Sequence, residues 1–382
     1  LNPASVAIAA DRGASPADLA ARLADKLPGD GLTAVLVFVS AHYDAVEFAE
    51  AMAPYYPKTP VYGCTTAGEL APSGLEDESA VALGFRKSDF TIVARPIFDL
   101  ANFNPENGRG LAREMRAEMA CSEVNVSAEH LFGLLLVDGL SRREEAVISA
   151  ISTALDEIPI VGGSAGDQLR FEKTWIICDG KAYQDAAVIL LISTSLPFLA
   201  FKCDQFEPNA IKFVVTEADL EQRVVRELNA EPAAQEYAQS IGSRQQDLSI
   251  DSFALHPVIV NMGAEHYARS IRKADPDGSL HFLSAIDEGL VLTGAKRSDS
   301  LTVLRDLFDK TEAQLGEVSL YLGFDCILRR IDAERRQKTR DISDLFRSHH
   351  VVGFNTYGEQ FRSMHLNETF TGIAIGRRRV SL

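Results

Sequence analysis

One signature occurs three times in this chain, each time closing a strand–helix–strand run: Gly63-Cys-Thr-Thr-Ala-Gly-Glu69, Gly162-Gly-Ser-Ala-Gly-Asp167 and Gly353-Phe-Asn-Thr-Tyr-Gly-Glu359. The first run opens with the β-branched stretch Thr33 to Ser40, continues with helix periodicity from His42 to Tyr55, and returns to strand character at Thr59. The second repeats that order from Leu131, with a helix from Arg143 to Leu155 and a strand from Ile158. The third is more diverged: a strand from Val318, a helix from Ile331 to Arg347 and a strand from His350. Strands with almost no polar interruption read as covered on both faces, so one βαβ unit is reused. Antiparallel-looking pairs follow: Val81–Arg86 with Phe90–Arg95, Ala187–Ile192 with Phe198–Phe201, and Thr369–Ile375. The expected fold is therefore α/β in the mixed α+β sense, with repeated strand–helix–strand units, appended hairpins and mixed sheets.

A length of 382 residues predicts two domains. Sheet character gives way to a polar stretch between Phe206 and Gln246, helix-rich around Leu220 to Ile241, with a helix start at Glu231-Pro232. The boundary is placed there: residues 1–220 hold two units, and 221–382 hold the third plus a meander. That meander is read as a strand over Phe253–Met262 with an internal proline, shorter strands near Leu280 and Leu290, and a helix from Leu301 to Leu315.

With 38 basic and 54 acidic residues the formal charge is −16, which repels nucleic acid and anionic membrane surfaces. The densest basic run, Arg329 to Arg340, also holds Asp332 and Glu334 and reads as a solvated helix face. Five cysteines (Cys64, Cys121, Cys178, Cys203 and Cys326) without a C-x-x-C pair favour a reducing compartment over a disulfide or zinc framework. The longest apolar run, Ala186 to Phe201, falls short of a bilayer span, so a cytoplasmic protein is expected.

Strand ends in an α/β sheet are where loops leave backbone N–H groups free for ligands, and each signature lies at such an end. Its glycines permit close approach, Thr65, Thr66, Ser164, Asn355 and Thr356 offer hydroxyls or an amide, and Glu69, Asp167 and Glu359 offer carboxylates. Cys64 and Tyr357 complete the candidate ligand-binding set. The competing reading is that the carboxylates accept hydrogen bonds from their own loops. Phosphate-loop and Rossmann spacings are absent. Gly162-Gly-Ser-Ala-Gly166 has the G-x-S-x-G form, which keeps a hydrolase or acyltransferase using Ser164 or Cys64 as a reserve reading, but no catalytic set is assembled and no enzyme is expected. No histidine pair has zinc spacing; His256, in an apolar context, reads first as a core histidine.

These motifs resemble the FIST family of sensory proteins, which pair an N-terminal with a C-terminal FIST domain. The resemblance is carried by Val61 to Glu69, Pro159 to Asp167, His256-Pro257 through Tyr267-Ala-Arg-Ser-Ile271, Asp325-Cys-Ile-Leu-Arg329, Gly353 to Glu359 and Asn367-Glu-Thr369. It implies a ligand-binding sensor in signal transduction, taking a small polar molecule such as an amino acid. Arg269 would then meet a ligand carboxylate, and Glu69, Asp167 or Glu359 an ammonium group. The nitric-oxide-sensing NosP branch of the family implies a haem alternative, with His256 as its axial ligand. The 382 residues contain no kinase or receptor segment, so the resemblance implies a separate partner, such as a histidine kinase, a cyclic-di-GMP enzyme or a chemotaxis receptor.

Overall fold

A computed structural model describes residues 5–122, 127–204, 206–262 and 265–377. Unit one runs β1 (Val6–Asp11), α1 (Pro16–Lys26), β2 (Leu32–Ser40), α2 (Ala45–Met52), β3 (Val61–Thr66), the short hairpin β4 (Glu69–Ala71) and β5 (Gly74–Glu76), then β6 (Ala80–Arg86). Unit two repeats the order: β7 (Phe90–Phe98), α3 (Pro105–Ser122), β8 (Leu131–Val137), α4 (Glu144–Leu155), β9 (Ile160–Ser164), hairpin β10 (Ile176–Cys178) and β11 (Lys181–Tyr183), then β12 (Ala186–Thr194). Unit three starts with β13 (Phe198–Cys203) and is then interrupted. The insertion comprises β14 (Phe206–Asp219), β15 (Val224–Leu228), β16 (Glu231–Pro232), α5 (Ala233–Ser240), α6 (Ile250–Leu255), β17 (Val258–Met262), β18 (Glu265–Ala268), β19 (Ile271–Ala274), β20 (Leu280–Phe282) and β21 (Val291–Arg297). The unit resumes with α7 (Ser300–Leu315), β22 (Val318–Cys326), α8 (Ile327–Arg335), α9 (Thr339–Ser348), β23 (Val351–Thr356), hairpin β24 (Glu359–Phe361) and β25 (Met364–Leu366), and β26 (Phe370–Gly376).

The short hairpins do not stay in their own sheets. The three six-stranded sheets are ordered β1-β6-β2-β3-β10-β11, β7-β12-β8-β9-β24-β25 and β13-β26-β22-β23-β4-β5. Each has one parallel pair at its centre and receives its last two strands from another unit. Unit two supplies unit one, unit three supplies unit two, and unit one supplies unit three. The hairpins expected between Val81–Arg86 and Phe90–Arg95, and between Ala187–Ile192 and Phe198–Phe201, do not form. In each case the second strand opens the next unit and joins a different sheet.

Alternate residues of the central strands explain their unbroken apolarity. Leu36 and Phe38, Leu134 and Leu136, and Leu322 and Phe324 turn into one core shared by all three sheets. Phe38, Phe324 and Phe354 meet there, with ring centroids 4.6 to 6.2 Å apart. The residues between them face outward under helices: Val35 and Val37 under α1 and α2, Leu135 and Val137 under α3 and α4, and Tyr321 under α7 and α9. Local capping fixes where these helices start: the Ser15 hydroxyl accepts from Asp18 N at 3.2 Å, and Asp299 accepts from Thr302 N at 3.0 Å.

The insertion forms its own antiparallel sheet, β18-β17-β21-β14-β15-β20-β19, with β16 on β15. Phe253–Leu255, expected as strand, belongs to α6, because Ser249 and Ser252 make a capping box and Phe253 and Ala254 bury on the helix; the strand starts only after Pro257. The helix expected around Leu220 to Ile241 is reduced to α5 behind β15 and β16. The single helix expected from Ile331 to Arg347 is two helices, broken at residues 336–338. Nor is the basic run a solvated face at its start. Arg329, Arg330 and Asp332 are buried, because Arg329 pairs with Asp325 at 2.6 Å and Arg330 with Asp77 at 2.6 Å. Among the described residues no helix is long and apolar enough to cross a membrane.

Candidate functional site

The three signatures meet. The N–H of Ala67 donates to the Asn355 carbonyl at 3.0 Å, that of Tyr357 to the Ser164 carbonyl at 3.1 Å, and that of Gly166 to the Thr65 carbonyl at 3.0 Å. Equivalent atoms of each loop are thus joined in a closed cycle, and Cys64, Thr65, Thr66, Glu69, Ser164, Asp167, Asn355, Thr356, Tyr357 and Glu359 are all buried at or beside it.

Glu69 and Glu359 occupy the same geometry. One Glu69 oxygen accepts from the Thr66 hydroxyl, the other from Ser79 N at 3.1 Å and Ser79 Oγ at 2.8 Å. Glu359 does the same with Thr356, and with Thr369 N and Oγ1 at 3.1 and 2.8 Å. Asp167 instead collects the N–H groups of Phe171, Glu172 and Lys173 and the Tyr357 hydroxyl. In this geometry each carboxylate answers donors of the protein's own loops. Thr65 accepts from Trp175 N, and Asn355 accepts from Arg330.

Burial pushes Glu69 up to about 7 and Glu359 up to about 8 from an ordinary 4.5. Folded chains therefore hold more protons than unfolded ones above pH 4.5. The stability these groups contribute is fully present below 4.5 and is lost as the pH rises through 7 and 8. In Glu69→Gln/Glu359→Gln the neutral amides keep acceptor and donor at every pH. Between pH 5 and 9, wild type is expected to lose about 2 kcal/mol or more relative to this variant in urea unfolding. Parallel pH profiles would show that the two carboxyls do not carry the effect.

Beside the cycle lies a second polar group, of which the sequence reading noted only Asn367, within the Asn367-Glu-Thr369 motif. Gln360, His365 and Asn367, on or next to the hairpin of unit three, are buried. Gln360 Nε2 donates to Ser164 Oγ at 3.1 Å and to His365 Nδ1 at 3.2 Å, which leaves the hydrogen of the imidazole on Nε2. Asn367 Nδ2 donates to the Tyr357 carbonyl at 3.2 Å, which turns its oxygen the other way. A Cβ on Gly358 would stand 2.7 Å from His365 Nε2 and 2.9 Å from Asn367 Nδ2, so only glycine leaves these groups accessible to each other. Burial, ahead of neighbouring charges, holds His365 below the usual imidazole range, so it is neutral at pH 7.

Across from them the insertion supplies Arg269, whose charge and that of Glu145 both reach His365. Ser284 belongs to the same joint, one residue before Ala285, whose N–H donates to Glu145 at 2.7 Å. Each of these residues has a buried side-chain atom without a hydrogen-bond partner: Arg269 Nε, His365 Nε2, Ser284 Oγ, Gln360 Oε1 and Asn367 Oδ1. Buried polar groups are otherwise almost always satisfied. Donors and acceptors remain open together, which suits a ligand carrying both kinds of group. Of the residues singled out in the sequence, Arg269 and Ser164 border this joint. Its other members are ordinary polar residues in sequence; their role comes only from meeting across the insertion.

His256 stands apart. It is exposed at the end of α6, its carbonyl accepts from the Tyr237 hydroxyl at 2.8 Å, and its ring has no hydrogen-bond partner among the described residues. It is therefore not the core histidine expected. Burial and then the Arg336 cation hold it below the usual imidazole range. A histidine that holds a metal usually donates its second ring nitrogen to an orienting group, and the described residues give the His256 ring no such partner. Among the described residues no His, Cys, Asp and Glu group could hold a metal ion. Ser164 Oγ is buried and accepts from an amide, and burial pushes the Cys64 and Cys326 thiols well up, so none of the three is activated in this geometry.

Two family models cover most of the chain: the FIST N domain over residues 33–231 and the FIST C domain over 233–362. The chain is also similar to the uncharacterized protein MJ1623 of Methanocaldococcus jannaschii, 23% identical over 279 residues, which cover 64% of this chain and 54% of that protein. The match thus spans about half the length of this relative.

Proposed function

The chain belongs to the FIST family, whose domains are sensory domains of signalling proteins, and we propose that it senses a small zwitterionic molecule, such as an amino acid, bound at the joint between unit three's hairpin and the insertion. One observation carries this reading: the unpartnered buried donors and acceptors on Arg269, His365, Gln360, Asn367 and Ser284. Arg269 and the His365 Nε2–H take the ligand carboxylate, while the oxygens of Gln360 and Asn367 accept from its ammonium group. Two neutral amide oxygens thereby do the work that the resemblance gave to the signature carboxylates. The ligand bridges two parts of the chain, so occupancy favours the arrangement in which they are docked, and a separate signalling protein in the cytoplasm reads that arrangement. Histidine kinases, cyclic-di-GMP enzymes and chemotaxis receptors are the partner classes to test.

Titration calorimetry and thermal unfolding of the full chain against the common amino acids test the reading. A ligand at a hundred times its Kd adds about 2.7 kcal/mol of stability, visible as a rise of several degrees in the midpoint. Arg269→Gln removes a charged hydrogen bond and is expected to weaken binding by about 10- to 100-fold. No response to any amino acid, or equal affinity in Arg269→Gln, would refute it.

A further inference from the structure

The insertion carries a cleft on other residues. Strands β14, β17 and β21, helices α5 and α6, and the end of α8 enclose a half-open cleft of about 430 Å³, within the range of small-molecule sites. One wall is apolar, formed by Ile211, Phe213, Ile241, Leu255 and Val258. The other carries Lys296, Arg297 and Arg336. A cationic cleft on a chain with net charge −16 is a local reversal of the protein's field.

The acids nearby engage two of these cations but not all of their nitrogens, and one Asp332 oxygen is itself left without a partner. Glu368 is taken by Arg297 Nη2 and the Ser270 hydroxyl, and Asp332 by Arg336 Nε at 2.8 Å, with Arg297 Nε 3.8 Å away. Arg297 is fully buried, and its Nε also donates to the Ala254 carbonyl at 3.1 Å, yet its Nη1 has no partner. A buried guanidinium N–H without an acceptor is costly. Lys296 is exposed at the rim, and Arg336 is half exposed and bound by one nitrogen only.

We propose that this cleft binds an amphipathic organic anion, its carboxylate or phosphate head on Arg297 Nη1, Arg336 and Lys296 and its apolar body along the Ile211–Leu255 wall. Guanidinium groups suit either head, and the five apolar side chains suit a hydrocarbon or aromatic tail. The site shares no residue with the joint that holds the sensed zwitterion, and neither proposal depends on the other.

Calorimetric titration of the full chain with octanoate, octyl phosphate and octyltrimethylammonium is the test. We expect one equivalent of at least one of the two anions to bind and the cation not to; the tighter anion identifies the head group. Lys296→Glu, at an exposed position, should weaken that anion at least fivefold with an unchanged unfolding midpoint. Ser240→Trp, which projects a ring into the cleft, should abolish binding. Equal binding of the cation, absence of binding by both anions, or anion binding undiminished in both variants would overturn the proposal.

Discussion

Gly162→Ala is expected to lower the stability of the chain by about 4 kcal/mol or more, far beyond the usual effect of adding one methyl group. Gly162 has φ +156°, and a Cβ there would lie 1.9 Å from the carbonyl oxygen of Leu135, its partner on the adjacent parallel strand. Neither atom can retreat: Leu135 is central in the sheet, and Gly162 leads directly into the cycle of interlocked loops. The same contact recurs at the first glycine of every signature, at 1.9 Å between Gly63 and the Val37 oxygen and 1.8 Å between Gly353 and the Gly323 oxygen. Gly31→Ala is the control. Its φ of +76° carries strain, but nothing lies within 4 Å of the added methyl, so a cost of about 1 kcal/mol is expected. Urea unfolding of both variants separates the two contributions; a Gly162→Ala midpoint close to that of Gly31→Ala would show that the strand contact is not what demands glycine.

The second large effect is expected at the seam between unit two and the insertion. Arg223 is buried, with one guanidinium nitrogen 2.7 Å from Glu144 and also paired with Glu145, while the other donates to the Leu283 carbonyl. Arg223→Met leaves the buried Glu144 without its cation and should cost about 3 to 5 kcal/mol. The double variant Arg223→Met/Glu144→Leu removes both charges and should recover most of that loss, because a desolvated pair is worth little against apolar side chains of similar size. A single variant within 1 kcal/mol of wild type, or a double variant no better than the single, would contradict this account. Because Glu145 also receives Ala285 N beside the proposed ligand site, the binding proposed there should weaken in Arg223→Met as well.

The repeated unit was legible because its determinants are local: alternating apolar residues of Leu36 and Phe38 type, the glycine forced by the neighbouring strand, and the acid five or six residues on. The exchange of hairpins was not. A three-residue strand such as Glu359–Phe361 pairs through its backbone, and nothing in its side chains says which sheet it completes. Proximity in sequence pointed instead to Val81–Arg86 with Phe90–Arg95, and proximity was misleading because a unit boundary falls between them. The burial of Arg329 and Arg330 was equally hidden, since their partners Asp325 and Asp77 lie on a strand end and on a loop from unit one. At the joint proposed as the ligand site, Arg269 and Ser164 stood out as candidate side chains. Gln360 and His365 carry no motif and Asn367 entered only as part of the Asn367-Glu-Thr369 match; what marks all three is the set of partners they lack.

The direction of hairpin exchange has a further consequence. Each unit gives to one neighbour and receives from the other, and three such steps return to the start. That is the connectivity of a cyclic, domain-swapped trimer written on one polypeptide. A single unit excised from this chain would carry an orphan hairpin and an unfinished sheet edge, and could satisfy both by cyclic exchange with two copies of itself.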